Sequence, residues 1–125
     1  MSTQRIAQVF GIVFVLVGLL GFALCGFGME ECLLLGLFPV NVLHNLAHLV
    51  LGIWGIMAAK TLAGAVSYCR IAGVIYLVLT LLGFVAPDTF GLIPNGGHDR
   101  WLHLVLGVIL VYFGFRKEVK VPSVM

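Results

Sequence analysis

Hydrophobic residues in this chain come in long unbroken runs, with polar residues gathered at the breaks between them. From Ile6 to Met29 no charged residue occurs for 24 positions. Three more apolar stretches follow, each near the roughly 20 residues a helix needs to cross a bilayer core. The pattern predicts helical spans at about 6–26, 39–59, 68–86 and 99–115. Strict apolar–polar alternation is absent, so a β-barrel is excluded. The first run exceeds the roughly 7–15 apolar residues of a signal-peptide core and no A-x-A site follows it. It reads as a retained span. Pro39 suits the first turn of a helix, where its missing N–H costs nothing, and Asn41 or Asp99 can cap the orphan donors there. Arg70, near the start of the third span, can snorkel to the boundary.

Composition sharpens this picture. Of 125 residues 62% are hydrophobic and 10% charged, and the mean hydropathy is +1.17. Soluble domains carry about a quarter charged residues, so too few polar side chains remain here to coat a wetted surface. A net charge of +2 supplies no basic patch for nucleic acid. Orientation follows from the basic residues. Arg5, Lys60, Arg70, Arg116, Lys117 and Lys120 fall on the side holding both termini, against Arg100 alone on the other. Both termini are therefore expected in the cytoplasm. Tyr68, Trp101 and Tyr112 fall near the expected interfaces, where amphipathic rings collect.

The two halves resemble each other. Gly36-Leu37-Phe38-Pro39 and His48-Leu49-Val50-Leu51-Gly52 recur 55 positions later as Gly91-Leu92-Ile93-Pro94 and His103-Leu104-Val105-Leu106-Gly107, with eight of nine positions identical. The first and third spans align more weakly, through Gly11 with Gly73 and Gly21-Phe22 with Gly83-Phe84. The expected fold is all-α: a membrane four-helix bundle, one domain over residues 1–125, built from two duplicated hairpins related by an axis along the membrane normal. Glycines inside the spans would let the helices pack closely.

All four histidines fall on the external half. His44 and His48 are one turn apart and share a helix face. His48 lies nine residues past Pro39, roughly 13 Å along a helix at about 1.5 Å per residue. Ionisable groups at such depth usually face the bundle interior. His103 is its repeat mate. Asn41, Asn45, Asn95, His98, Asp99 and Arg100 surround them. The plain reading is interhelical hydrogen bonding by the histidines, with Asn41, Asn45 and Asp99 as caps. A second is tetrapyrrole binding, with His48 and His103 as axial ligands of one haem, or a single imidazole on a chlorophyll magnesium, and His44, Asn41 and Asn45 nearby. A symmetric two-ligand site leaves His44 out, because Leu43, not His44, is the mate of His98. A third is a metal or anion site drawing on His44, His48, His98, Asp99 and His103. Cys25 and Cys32, seven apart in the external loop, are either free thiols or a disulfide. Cys69 is a packing residue. Glu30-Glu31 reads as a solvated loop tip.

The run from Leu35 to Leu49, with Gly36-Leu37-Phe38-Pro39, His44-Asn45 and His48, resembles the signature of domain-of-unknown-function family 4383. These are small four-helix bacterial and cyanobacterial membrane proteins. Phe90-Gly91-Leu92-Ile93-Pro94, His98-Asp99 and Trp101-Leu102-His103 are similar to its second signature, and the likeness covers about Arg5 to Phe115. It implies a four-span fold, loosely DoxX-like, in a bacterial inner membrane or cyanobacterial thylakoid, and transfers no catalytic residue. The Cys25/Cys32 pair is not part of that pattern. The expected role is a non-enzymatic accessory or structural subunit of a larger respiratory or photosynthetic assembly. Its partners would be lipids and other membrane subunits or further copies of itself. The alternatives are a component of a membrane redox system with histidines handling protons near a quinone, and a small transporter. No Ser, Cys or carboxylate stands beside the histidines as a hydrolytic nucleophile with an orienting partner, Asp99 being the nearest.

Overall fold

The computed structural model describes residues 1–117. Lys120, counted above among the basic residues, lies outside the described residues. Four helices dominate: α1 (Thr3–Cys25), α2 (Val42–Ala58), α3 (Leu62–Val85) and α4 (His98–Phe115). Two of them, α1 and α3, are long and apolar enough to cross a membrane, and α2 is a shorter apolar helix. The helices pack chiefly as two antiparallel hairpins, α1 against α2 and α3 against α4. Between α1 and α2 runs a feature the periodicity did not announce. Strands β1 (Cys32–Leu34) and β2 (Phe38–Val40) form a small antiparallel ribbon that pairs Cys32 with Val40 and Leu33 with Pro39.

The ribbon corrects the start of the second helix. Pro39 does not open it but sits in β2, a two-stranded edge where a missing N–H is tolerated. Helix α2 begins at Val42 because Asn41 is extended and its side chain accepts from the His44 N–H at 2.9 Å. Helix α3 starts six residues before the predicted third span, capped by Thr61, whose Oγ1 accepts from Gly64 N at 2.9 Å. Arg70 therefore lies inside a helix. Its Nε donates to Gly114 O at 2.7 Å and its guanidinium stacks over the Phe115 ring, so the charge meets the last carbonyls of α4. Asp99 is not the α4 cap. That position belongs to Gly97, which provides no side-chain bond, and Asp99 turns inward from the first turn.

Glycines set the spacing. A Cβ on Gly52 would meet the Gly11 carbonyl at 2.7 Å, and one on Gly107 would meet Leu77 at 2.8 Å. The interior between the hairpins is built from Phe14, Tyr68, Ala72, Tyr76 and Leu110. Tyr68 is fully buried, with its hydroxyl donating to Leu51 O at 3.0 Å, so it is a core residue rather than an interface ring. Trp101 and Tyr112 are exposed. Outward faces carry Leu16, Leu19, Val50, Ile53, Ile71, Val78, Val105 and Val108, all exposed, while Asn41, His44, Asn45, Thr80, Asn95, Asp99 and His103 are buried. Large apolar residues cover the outside, and the buried polar residues share the interior with the apolar core.

Candidate functional site

Side chains from the first two turns of α2 and of α4 meet at the end of the bundle that holds the ribbon. Helical spacing places His44 and His48 on one face of α2, and Asp99 and His103 on one face of α4. These four residues converge. His44 Nδ1 lies 3.9 Å from Asp99 Oδ2, and the His44 ring stands 4.7 Å from His48 and 6.1 Å from His103. His44, Asp99 and His103 are all buried, and each offers a ligand atom within 4.8 Å of the others.

Two apolar-helix aromatics complete the cluster. Phe14 stacks on His48 at 5.8 Å and on Tyr76 at 5.4 Å, and Tyr76 contacts His103 at 5.1 Å. The five rings of His44, His48, Phe14, Tyr76 and His103 thus make a closed circuit through α1, α2, α3 and α4. The ribbon and loop hold its outer edge. His44 Nδ1 lies 3.1 Å from Pro39 O. A carbonyl only accepts, so Nδ1 carries the proton and the lone pair of the neutral ring is on Nε2. Asn41 caps α2 and also donates from Nδ2 to Leu92 O at 2.9 Å, tying the two hairpins together. Asn95 donates to Leu79 O at 2.6 Å and is fully buried.

Three polar atoms of the cluster have no hydrogen-bond partner: Asp99 Oδ2 and Nδ1 of His48 and His103; both side-chain polar atoms of Asn45, which faces Gly21 of α1, are unpartnered as well. Buried polar atoms are ordinarily paired, so this concentration in one place is itself informative. Beside it opens a cavity of about 310 Å³, lined by Val13, Val17, Leu20, Leu102 and Leu106 among others, with His44, His48, Asp99 and His103 as its polar boundary.

The predicted site residues separate into three groups. His44, His48, Asp99 and His103 come together, with Asn41 and Asn45 on the adjoining turns of α2. His98 does not join them. It is exposed, 6.4 Å from Phe38, on a separate outer cleft of about 800 Å³. Cys25 and Cys32 are bonded, with Cα atoms 5.8 Å apart, tying the end of α1 to β1. Pairing of His48 with His103 alone missed the centre of the cluster, which is His44. The signal was present: at the same 55-residue offset the mate of His44 is Asp99, so a His-x-x-x-His pair faces an Asp-x-x-x-His pair. Phe14 and Tyr76 were missed because a lone aromatic in an apolar run has no distinguishing pattern.

A helical chain with two membrane-length apolar helices and a buried His/Asp cluster is thereby defined. The chain belongs to the domain-of-unknown-function family DUF4383, whose model matches residues 4–116. No curated protein and no solved structure matches it.

Proposed function

We propose that this chain is a four-span integral membrane protein, made of two duplicated hairpins with cytoplasmic termini, that serves as a non-enzymatic accessory subunit of a larger membrane assembly. The observation that carries the reading is the inverted surface. Large aliphatic side chains cover the outside of all four helices, while the buried polar groups line the centre. In water such a surface would aggregate; in lipid it is the expected one. Six basic residues to one support the orientation. Two backbone details support the duplication. Leu35 and Phe90, 55 positions apart, both adopt positive φ (56° and 59°), as do the following Gly36 and Gly91 (71° and 86°). A non-glycine residue in that region is uncommon, and two at equivalent positions point to one inherited turn.

The packing of the cluster speaks against one haem ligated by both His48 and His103. A macrocycle ligated by both His48 and His103 would have to lie between them, and His44, Phe14 and Tyr76 occupy that space. The cavity beside them is at the lower end of the roughly 300–1,000 Å³ typical of small-molecule pockets. Its almost wholly apolar lining with imidazoles at one boundary favours, as a second reading, a component of a membrane redox system that takes a quinone-like head group.

The test is a tagged chain expressed in its own host. Cross-linking in intact membranes, gentle extraction and native electrophoresis should show the chain in a particle of several subunits, with partners identified by mass spectrometry. Migration as a single chain after cross-linking would refute the accessory role. A reporter fused after Met125 should be cytoplasmic and one inserted at Glu31 external. A reporter active outside at Met125 would overturn the orientation.

A further inference from the structure

We propose that His44, Asp99 and His103 bind one divalent first-row transition-metal ion of the zinc or iron(II) kind, with an open coordination position turned to the apolar cavity. The inference rests on the side chains of α2 and α4 that meet in the interior, and not on the accessory role.

Three observations converge on it. The ligand atoms of the three residues already lie within 4.8 Å of one another. Bonds of about 2.0–2.1 Å to a tetrahedral ion place ligand atoms about 3.4 Å apart, so binding draws the three inward by roughly an ångström, within reach of small side-chain rotations. Second, the Asp99 carboxylate is buried with one oxygen lacking a hydrogen-bond donor. Its residue is 2% exposed and Oδ2 accepts no hydrogen bond. Among the described residues its only ion-pair neighbour is His44. The adjacent Arg100 is engaged elsewhere, with Nε donating to Gly97 O at 3.3 Å and its guanidinium over Phe84. A buried carboxylate without a cation is costly, and a divalent ion removes that cost. Third, His44 is oriented as a metal-ligating imidazole usually is. Its Nδ1 lies 3.1 Å from the Pro39 carbonyl and 3.9 Å from Asp99 Oδ2, so a backbone contact holds the ring in place beside the carboxylate.

Donor chemistry selects the class of ion. Two imidazoles and one carboxylate suit zinc, iron(II) and their neighbours. Calcium requires six to eight oxygens, and magnesium keeps a near-octahedral oxygen shell, so neither matches. Thiolate-seeking ions find no partner, since Cys25 and Cys32 are bonded to each other at the end of α1 and Cys69 is buried in the interior cluster. Three protein ligands leave at least one position unfilled, as in sites where zinc binds a small molecule rather than merely holding a fold together. Because His44, Asp99 and His103 border the cavity, that position opens onto it. His48, whose Nδ1 is buried without a partner beside His44, is placed to hydrogen-bond whatever small polar group occupies it.

The experiment uses the full chain in mild detergent, stripped with a chelator and titrated with Co(II) as a spectroscopic probe, then with Zn(II). Wild type should saturate at one Co(II) per chain, with the visible ligand-field bands of a low-coordinate nitrogen–oxygen site, and Zn(II) should displace it. His44→Gln, Asp99→Asn and His103→Gln should each weaken Zn(II) binding by at least about tenfold. His98→Gln, on the separate outer cleft, should leave it unchanged. Helicity and gel-filtration profile identify variants that fail to fold, and the wild-type stoichiometry does not depend on them. Wild type that takes up neither ion overturns the proposal. So does binding that survives in folded variants of the three ligands, or that His98→Gln abolishes. Failure of the topology reporters would leave this result standing, and failure here would leave the membrane reading standing.

Discussion

Replacing Gly52 with alanine tests whether close backbone approach holds the first hairpin together. The added Cβ would lie 2.7 Å from both the Gly11 carbonyl oxygen and the Val15 amide nitrogen, where ordinary contact begins at 3.4 Å. Both obstacles are backbone atoms, so no rotamer change relieves them. The helices must move apart by about 0.7 Å, and overpacking of this sort costs about 1–3 kcal/mol. Against it, alanine is the better helix former by roughly 0.5–1 kcal/mol. At mid-range values the crossing term wins, and the net loss should be about 1 kcal/mol. Gly11→Ala attacks the same crossing, where its Cβ would meet Gly52 O and Ile56 N at 2.7 Å. Once one alanine has separated the helices the second finds space, so the double variant should lose less than the sum. The assay is reversible unfolding in mixed detergent micelles followed by helicity. Leu16→Ala, on an exposed outward face, is the control and should cost little. Two single variants as stable as wild type, or losses that add to within about 0.3–0.5 kcal/mol, would refute the reasoning.

Mass analysis after alkylation of the unfolded, unreduced chain should show one labelled thiol, Cys69, and three after reduction; full labelling without reduction would disprove the Cys25–Cys32 bond. Replacing both bonded cysteines by serine should lower stability by roughly 2–3 kcal/mol, as loop-closure entropy for so short a loop suggests. Asn41→Ala removes both the α2 cap and the bond to Leu92 O that links the hairpins. It should cost about 1–2 kcal/mol, read in the same unfolding assay, and a change below about 0.5 kcal/mol would mean that water replaces both bonds.

Much of the helical framework is local, and local features are legible in order along a chain. The uncharged run after Arg5 predicts α1, and the recurring Gly-Leu-x-Pro and His-Leu-Val-Leu-Gly segments predict a helix at each of α2 and α4. Boundaries were less legible where one residue could serve two structures. Pro39 fits a helix start as well as an edge strand, and only the pairing of Leu33 with Pro39 across a turn at Leu35 and Gly36 decides between them. Arg70 set the predicted start of the third span too late. The chain continues as helix through it because the carbonyl of Gly114 and the ring of Phe115, 44 and 45 residues away, receive its charge.

The cluster divides in the same way. That polar residues gather at one end of the apolar runs follows from their positions alone, and the four-residue spacing places each pair on one helix face. Which of these residues meet is a property of two helices brought together. Asp99 looks like a cap in sequence, since a helix start has free N–H groups and a carboxylate beside them. In the folded chain it turns instead towards His44, while His98, its immediate neighbour, remains exposed. The difference between the two is one step of about 100° around α4. That step acquires a meaning only when the packing of α4 on α3 fixes which side of α4 is the inside.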